Sequence, residues 1–220
     1  MTKVIDRYSP EEVLQIFKEQ HRLCSPLDIE ADRNAEITGE MSIRDWRSAN
    51  DLLGWKELSM FLNKEFRLTI DVNTWQQTLE PAKKRTLIEV CELIAKHATI
   101  EYFQPKIIFE QECLKASIFL TIKKNLKNKG VDVSELSPSS NLAFYINKYF
   151  SPVLEEITLT GTKPLKNLHT IRKKRKFLDI INFANFTTDE IFIENIETFR
   201  DLVTKIIYER NQNTSKLSSQ

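Results

Sequence analysis

Glycine is scarce in this chain, four in 220 residues, and Gly39, Gly54, Gly130 and Gly161 lie far apart. A phosphate-cradling loop needs several glycines close together so that backbone N–H groups can approach the anion, which excludes P-loop and Rossmann chemistry. Turn-rich β folds are disfavoured on the same ground, since their hairpins need residues at positive φ. Cysteine is equally sparse. Cys24, Cys91 and Cys113 are odd in number and widely spaced, which fits reduced thiols rather than a disulfide framework. No Cys-x-x-Cys or His-Glu-x-x-His pattern occurs, and His21 with Cys24 supplies only two ligands, read here as a loop histidine beside a thiol rather than a zinc site. Long apolar runs are missing as well. Ile118-Phe119-Leu120 is typical of the longest, against about 20 residues for a spanning helix and about 7–15 for the core of a secretory signal. The expectation is a cytoplasmic protein that is not an enzyme and binds no cofactor or metal.

What is present is enough apolar mass to fold. Hydrophobic residues make up 41% of the chain, with thirteen Phe and three Trp, so wholesale disorder is excluded. The 32 basic and 31 acidic side chains nearly cancel, but unevenly. Residues 1–110 hold 15 basic and 19 acidic groups, and residues 111–220 hold 17 and 12. Adjacent carboxylates, Glu155-Glu156 and Asp189-Glu190, diverge by about 100° on a helix and are expected to face water.

Helix starts are legible along the chain. Ser9-Pro10-Glu11-Glu12, Ser42-Ile43-Arg44-Asp45, Thr86-Leu87-Ile88-Glu89 and Thr198-Phe199-Arg200-Asp201 all have the form of capping boxes. The first opens a helix carrying Val13, Ile16 and Phe17. The second leads through a break at Gly54 to an apolar stripe at Leu58, Phe61, Leu62 and Phe66. Asp71 to Leu79 forms a short helix with Trp75, and Leu87, Val90, Cys91 and Ile94 share one face up to His97. A long helix is expected from Pro105 to Lys129, with Leu114, Ile118, Ile122 and Leu126 at i+4 steps and Gly130 ending it. Ser137-Pro138 is read as a cap before an apolar helix from Leu142 to Phe150, and the last helix runs from Thr198 to about Arg210.

Two segments repeat. Leu58–Phe66 can be laid on Leu142–Phe150 at an offset of 84, with Leu, Asn, Lys and the final Phe identical. Thr86–Val90 matches Thr198–Leu202 at an offset of 112. Two matches in the same order point to an internal duplication, with 28 extra residues in the second copy. The expected organisation is an all-α chain of two small helical-bundle modules, 1–99 and 105–210, the second with a basic insertion over about 158–190, then a flexible tail at 211–220.

The first module has a further likeness. Asp51-Leu52-Leu53-Gly54-Trp55-Lys56-Glu57-Leu58, continuing to Phe66-Arg67-Leu68-Thr69-Ile70, and the Thr86-Leu87-Ile88-Glu89-Val90 start resemble the middle and last helix of an acyl carrier protein. The resemblance covers about residues 10–98, and more faintly 112–207. It implies a four-helix scaffold. Carrier proteins hold phosphopantetheine on the serine of an Asp-Ser-Leu turn, and here that run is Asp51-Leu52-Leu53. Leucine has no oxygen to take a phosphodiester, and in the second module Leu136 stands at the equivalent offset. The expected function is therefore a non-catalytic protein-interaction module on an acyl-carrier-like scaffold without its prosthetic group, with an unidentified protein as partner.

One local feature favours a different partner. Lys163, Lys166 and the run Arg172, Lys173, Lys174, Arg175 and Lys176 form a basic segment with no acidic residue between Lys163 and Lys176. Phosphate-bearing partners, nucleic acid or an anionic membrane surface, are the alternative reading. The following Phe177–Phe186 stretch places Asp179, Asn182 and Asn185 as a narrow polar stripe on an otherwise apolar helix, which fits packing between the modules.

Overall fold

The computed structural model describes residues 7–104, 106–108, 111–166, 168–171, 190–194 and 196–217. Arg172–Lys176 and the Phe177–Phe186 stretch lie outside the described residues. The described chain is predominantly helical. In order it forms α1 (Pro10–Cys24), α2 (Ile43–Ala49), α3 (Trp55–Glu65), α4 (Val72–Leu79), α5 (Leu87–His97), β1 (Lys106–Ile108), β2 (Gln111–Cys113), α6 (Leu114–Asn128), α7 (Leu142–Lys148), α8 (Phe150–Thr158), β3 (Leu168–Ile171), β4 (Glu190–Ile193) and α9 (Phe199–Leu217). The strands make two antiparallel pairs, β1 with β2 and β3 with β4, so a small β component accompanies the helices.

Local chemistry sets most helix starts. The Ser9 hydroxyl accepts from the Glu12 N–H at 3.1 Å while the Glu12 carboxylate takes the Ser9 N–H at 2.7 Å. Thr198 and Asp201 exchange the same two bonds at the head of α9. Each reciprocal pair satisfies two backbone donors that the first turn leaves free. Gly130, at φ +83°, follows α6. Its N–H reaches the Lys127 carbonyl and that of Val131 reaches Leu126, the paired closure that a left-handed residue permits.

Four boundaries differ from the sequence reading. The helix expected from Pro105 begins only at Leu114, where its i+4 apolar series begins, and the β-branched Ile107 and Ile108 lie in a strand instead. Asn141, not Ser137, caps α7, accepting from the Phe144 N–H at 2.8 Å. Tyr149, at φ −138° and ψ 57°, then breaks the apolar run into α7 and α8. Finally, α9 continues through Leu217.

Both halves share a bonding scheme. In the first, Ile43 N–H bonds to Arg85, Leu87 to Met41 and Ile88 to Gly39; in the second, Leu142 bonds to Glu197, Phe199 to Ser140 and Arg200 to Pro138. The isolated bridges Ser42–Thr86 and Asn141–Thr198 occupy the same place in each. A side-chain device recurs with them. The Asn63 amide bonds both the N–H and C=O of Ile70, and Asn147 does the same to Ile191. Helix α1 packs on α5 as α6 packs on α9. In the first half α2 lies between the bridging segment and the Asn63 helix, whereas in the second α7 follows its bridge directly. In the second half α8 and β3 fall between Asn147 and Ile191.

One apolar cluster runs through both halves, with Ile16, Trp75, Leu87 and Ile94 from the first and Ile118, Ile122, Leu142 and Phe199 from the second fully enclosed. Polar contacts cross between the halves at its centre. Tyr8 donates to the Leu159 carbonyl at 2.8 Å, and Arg22 donates to the carbonyl of Leu165 at 2.6 Å and to that of Lys166. Glu156, with no solvent exposure, meets Arg67 at 3.3 Å and Lys129 at 2.8 Å and accepts from the Tyr102 hydroxyl. Removing one member of a buried charge cluster strands the remaining charge away from water. Lys129→Met should therefore lower unfolding stability by about 3 kcal/mol in a denaturant titration; a change within experimental error would show that Glu156 does not need its lysine.

Candidate functional site

Helix α2 ends at Ala49, and the chain turns through Asp51, which sits in the left-handed region at φ 47°. Aspartate tolerates that conformation better than bulkier residues. The turn is closed by the Leu52 N–H on the Arg47 carbonyl at 2.9 Å. Gly54 then caps α3 without a side chain. This geometry sends Leu52 inward and Leu53 outward. Leu52 lines a cleft of about 240 Å³ between the halves, with Phe17, Trp46 and Phe61 on one side and Phe150 and Leu154 on the other. Leu53, in the turn before α3, is 63% exposed, and on α3 itself Met60 and Phe61 are 66% and 40% exposed. The stripe predicted at Leu58, Phe61, Leu62 and Phe66 is thus split, since Leu58, Leu62 and Phe66 are buried while Phe61 bridges the cleft and the surface.

Polar groups at the cleft floor were not legible as a site. Gln20 and Thr158 line it, 3.3 Å apart, and Gln20 also donates to Glu65. Glu65 is 1% exposed, and its second carboxylate oxygen has no hydrogen-bond partner. Burial, reinforced by the negative charge of Glu155, pushes the Glu65 carboxyl up to about 8. The neighbouring Cys24 thiol is pushed up to about 11 by its own burial and then by Glu65, which makes it a poor nucleophile. Cys91 is buried in the core as its helical position implied, and burial pushes its thiol up to about 12.

Two sequence expectations are corrected here. Glu155 and Glu156 do not face water. Glu156 is enclosed and Glu155 pairs with Lys129 at 2.6 Å, because α8 docks against α1 and α6 instead of lying on the surface. His21 is no loop histidine. It lies in α1, buried, with Nδ1 2.9 Å from the Asn50 side-chain oxygen. Among the described residues, no three His, Cys, Asp or Glu side chains gather as metal ligands, and no helix is long and apolar enough to cross a membrane.

Of the predicted basic contacts, Lys163 and Lys166 are exposed, on the segment whose backbone Arg22 grips. Arg172, Lys173, Lys174, Arg175 and Lys176 lie outside the described residues. The structure therefore brings together a different set, the exposed apolar residues of α3 and its preceding turn, and the cleft beneath them.

The Glu65 carboxyl gives this site a pH signature. Its folded value lies above the ordinary carboxylate range, so between about pH 5 and pH 8 the unfolded chain has lost a proton that the folded chain keeps. Stability should fall as pH rises through that window. Glu65→Gln should flatten the fall and stabilise the protein near pH 8 while changing little near pH 4.5; denaturant midpoints across the range would show it, and parallel curves for both proteins would refute it.

Comparison with protein-family models, curated proteins and solved structures finds no match to this chain.

Proposed function

We propose that this chain is a non-catalytic interaction module, built from two copies of an acyl-carrier-like helical unit that carry no prosthetic group. The carrying observation is the turn before α3 together with the exposed middle of that helix. Where a carrier protein needs a serine hydroxyl, this chain has Leu52 turned into a cleft and Leu53, Met60 and Phe61 left in water. Large apolar side chains left in water close together mark a contact surface more often than isolated ones do. The occupant that fits is an amphipathic helix of a partner protein, laying its apolar stripe along α3 with Phe61 as the anchor at the cleft mouth. The recurrent bonding of Gly39, Met41 and Ile43 with Arg85–Ile88, and of Pro138, Ser140 and Leu142 with Glu197–Arg200, supports descent of the halves from one unit. So does the shared role of Asn63 and Asn147.

The basic segment supports a second reading. Lys163 and Lys166 point outward from a backbone fixed by Arg22, so the segment's start is presented to solvent. That arrangement suits nucleic acid or an anionic membrane surface, with the remaining cations at Arg172–Lys176.

Three measurements separate these readings. Co-expression with a phosphopantetheinyl transferase should leave the intact mass unchanged, and an adduct would overturn the assignment. A Met60→Glu, Phe61→Glu variant should keep its helical circular dichroism yet lose any protein that the parent retains on affinity capture; unchanged capture would remove α3 as the contact. Binding to DNA, RNA or anionic vesicles, if it carries the function, should weaken steeply with salt and on neutralising Arg172–Lys176; no such binding at low salt sinks the second reading.

A further inference from the structure

The two halves differ at two matched positions beside a second cleft, where Arg200 and Pro138 stand in the places of Ile88 and Gly39. In the first half, Ile88 follows the bridging bond to Gly39, and its side chain closes over that glycine together with Leu14. A Cβ on Gly39 would come within 3.3 Å of Ile88 and 3.6 Å of Leu14. In the second half, the same backbone bond runs from Arg200 to Pro138. An apolar plug is thus replaced by a cation that extends to solvent. Between α6 and α9 lies a space of about 500 Å³.

The chemistry of its walls is specific. Phe119, Leu120, Phe199 and Val203 form an apolar floor and sides, and Lys115 and Arg200 stand on the lip. Phe199 and Val203 are buried and Leu120 is 38% exposed, so the apolar wall extends from the core to the mouth. Neither Lys115 nor Arg200 makes an ion pair within 4.0 Å among the described residues. Asp201, the acid next to Arg200, is engaged in the Thr198 cap. An apolar trough with two exposed cations on its lining is complementary to an amphipathic anion.

We propose that this cleft binds a free hydrophobic monocarboxylate, independently of any contact at α3. The carboxylate sits between Arg200 and Lys115, and the hydrocarbon lies along Phe119, Leu120 and Val203. A space of about 500 Å³ accommodates an unbranched chain of roughly ten to fourteen carbons and still leaves solvent at the mouth. Each methylene taken out of water adds about 0.8 kcal/mol of transfer free energy, so affinity rises with chain length until the trough is full. Cys113, half-buried on the lining, lies where a bound chain would cover its thiol.

Dodecanoate, kept below its aggregation concentration, is the probe, titrated calorimetrically into the full chain. One equivalent should bind saturably and slow alkylation of Cys113 by N-ethylmaleimide. Dodecyltrimethylammonium, of equal length and opposite charge, should not bind. Arg200→Ile, which installs the residue of the first half, should weaken dodecanoate by about tenfold or more, the loss of one charge-assisted contact. Ala116→Trp should block the trough while thermal melting stays near that of the parent. The proposal fails if dodecanoate shows no saturable binding up to about 1 mM, or if the cationic amphiphile binds equally well. It fails too if both substitutions leave the affinity unchanged, the result expected were the groove a seat for a protein segment alone.

Discussion

Glu156 is the buried charge around which the two halves meet, alongside the contacts of Tyr8 and Arg22. It has no exposure to water, and its partners come from three places in the chain: Arg67 after α3, Tyr102 in the connector and Lys129 at the end of α6. Burying an ion is costly unless every lone pair finds a donor, so this group tolerates few alternative geometries. Burial and the nearby Glu156 charge together drive the Tyr102 hydroxyl well above its ordinary range, so it remains a donor at any physiological pH. Lys129 is pulled down by its own burial, but Glu156 and Glu155 outweigh that and hold it charged. The cluster adds directional contacts to apolar packing, whose driving force is itself non-directional.

Around that centre, two of the openings among the described residues differ in character. The cleft under α3 lies between the halves, and Gln20 on its lining connects it to the buried carboxyl of Glu65. The trough between α6 and α9 lies within the second half and is rimmed by cations. In the cleft under α3, burial raises the Cys24 thiol away from thiolate. Both openings suit recognition by shape and charge.

Much of the fold could be read from the sequence wherever the deciding interactions are local. The capping boxes of Ser9 with Glu12 and of Thr198 with Asp201 span three residues, and both form as written. Gly130 ends α6 because a left-handed residue there needs no distant partner. Most of what escaped depends on residues far apart in the chain, although β1 and β2 pair across only three to seven positions. A β1–β2 pairing replaced the start of a helix whose own residues would have permitted it. Glu156 read as solvent-facing because its partners lie up to 89 positions away. The site at α3 was half legible. The missing serine marked the turn, but only the docking of α8 turns Leu52 and Phe61 into the wall of a cleft.

Arg67 follows the last turn of α3 at φ 56°, a conformation in which glycine or asparagine is usually found. Its backbone still closes the helix, with the Leu68 N–H on the Asn63 carbonyl at 2.7 Å. The preference of the residue and the demand of the fold therefore disagree at this point, and the disagreement is resolved by where the guanidinium reaches. Glycine here would relax the helix end and silence the contact to Glu156 in one step. A local improvement and a global loss would be the same substitution, so a survey of helix-end propensities would rank this position in the wrong direction.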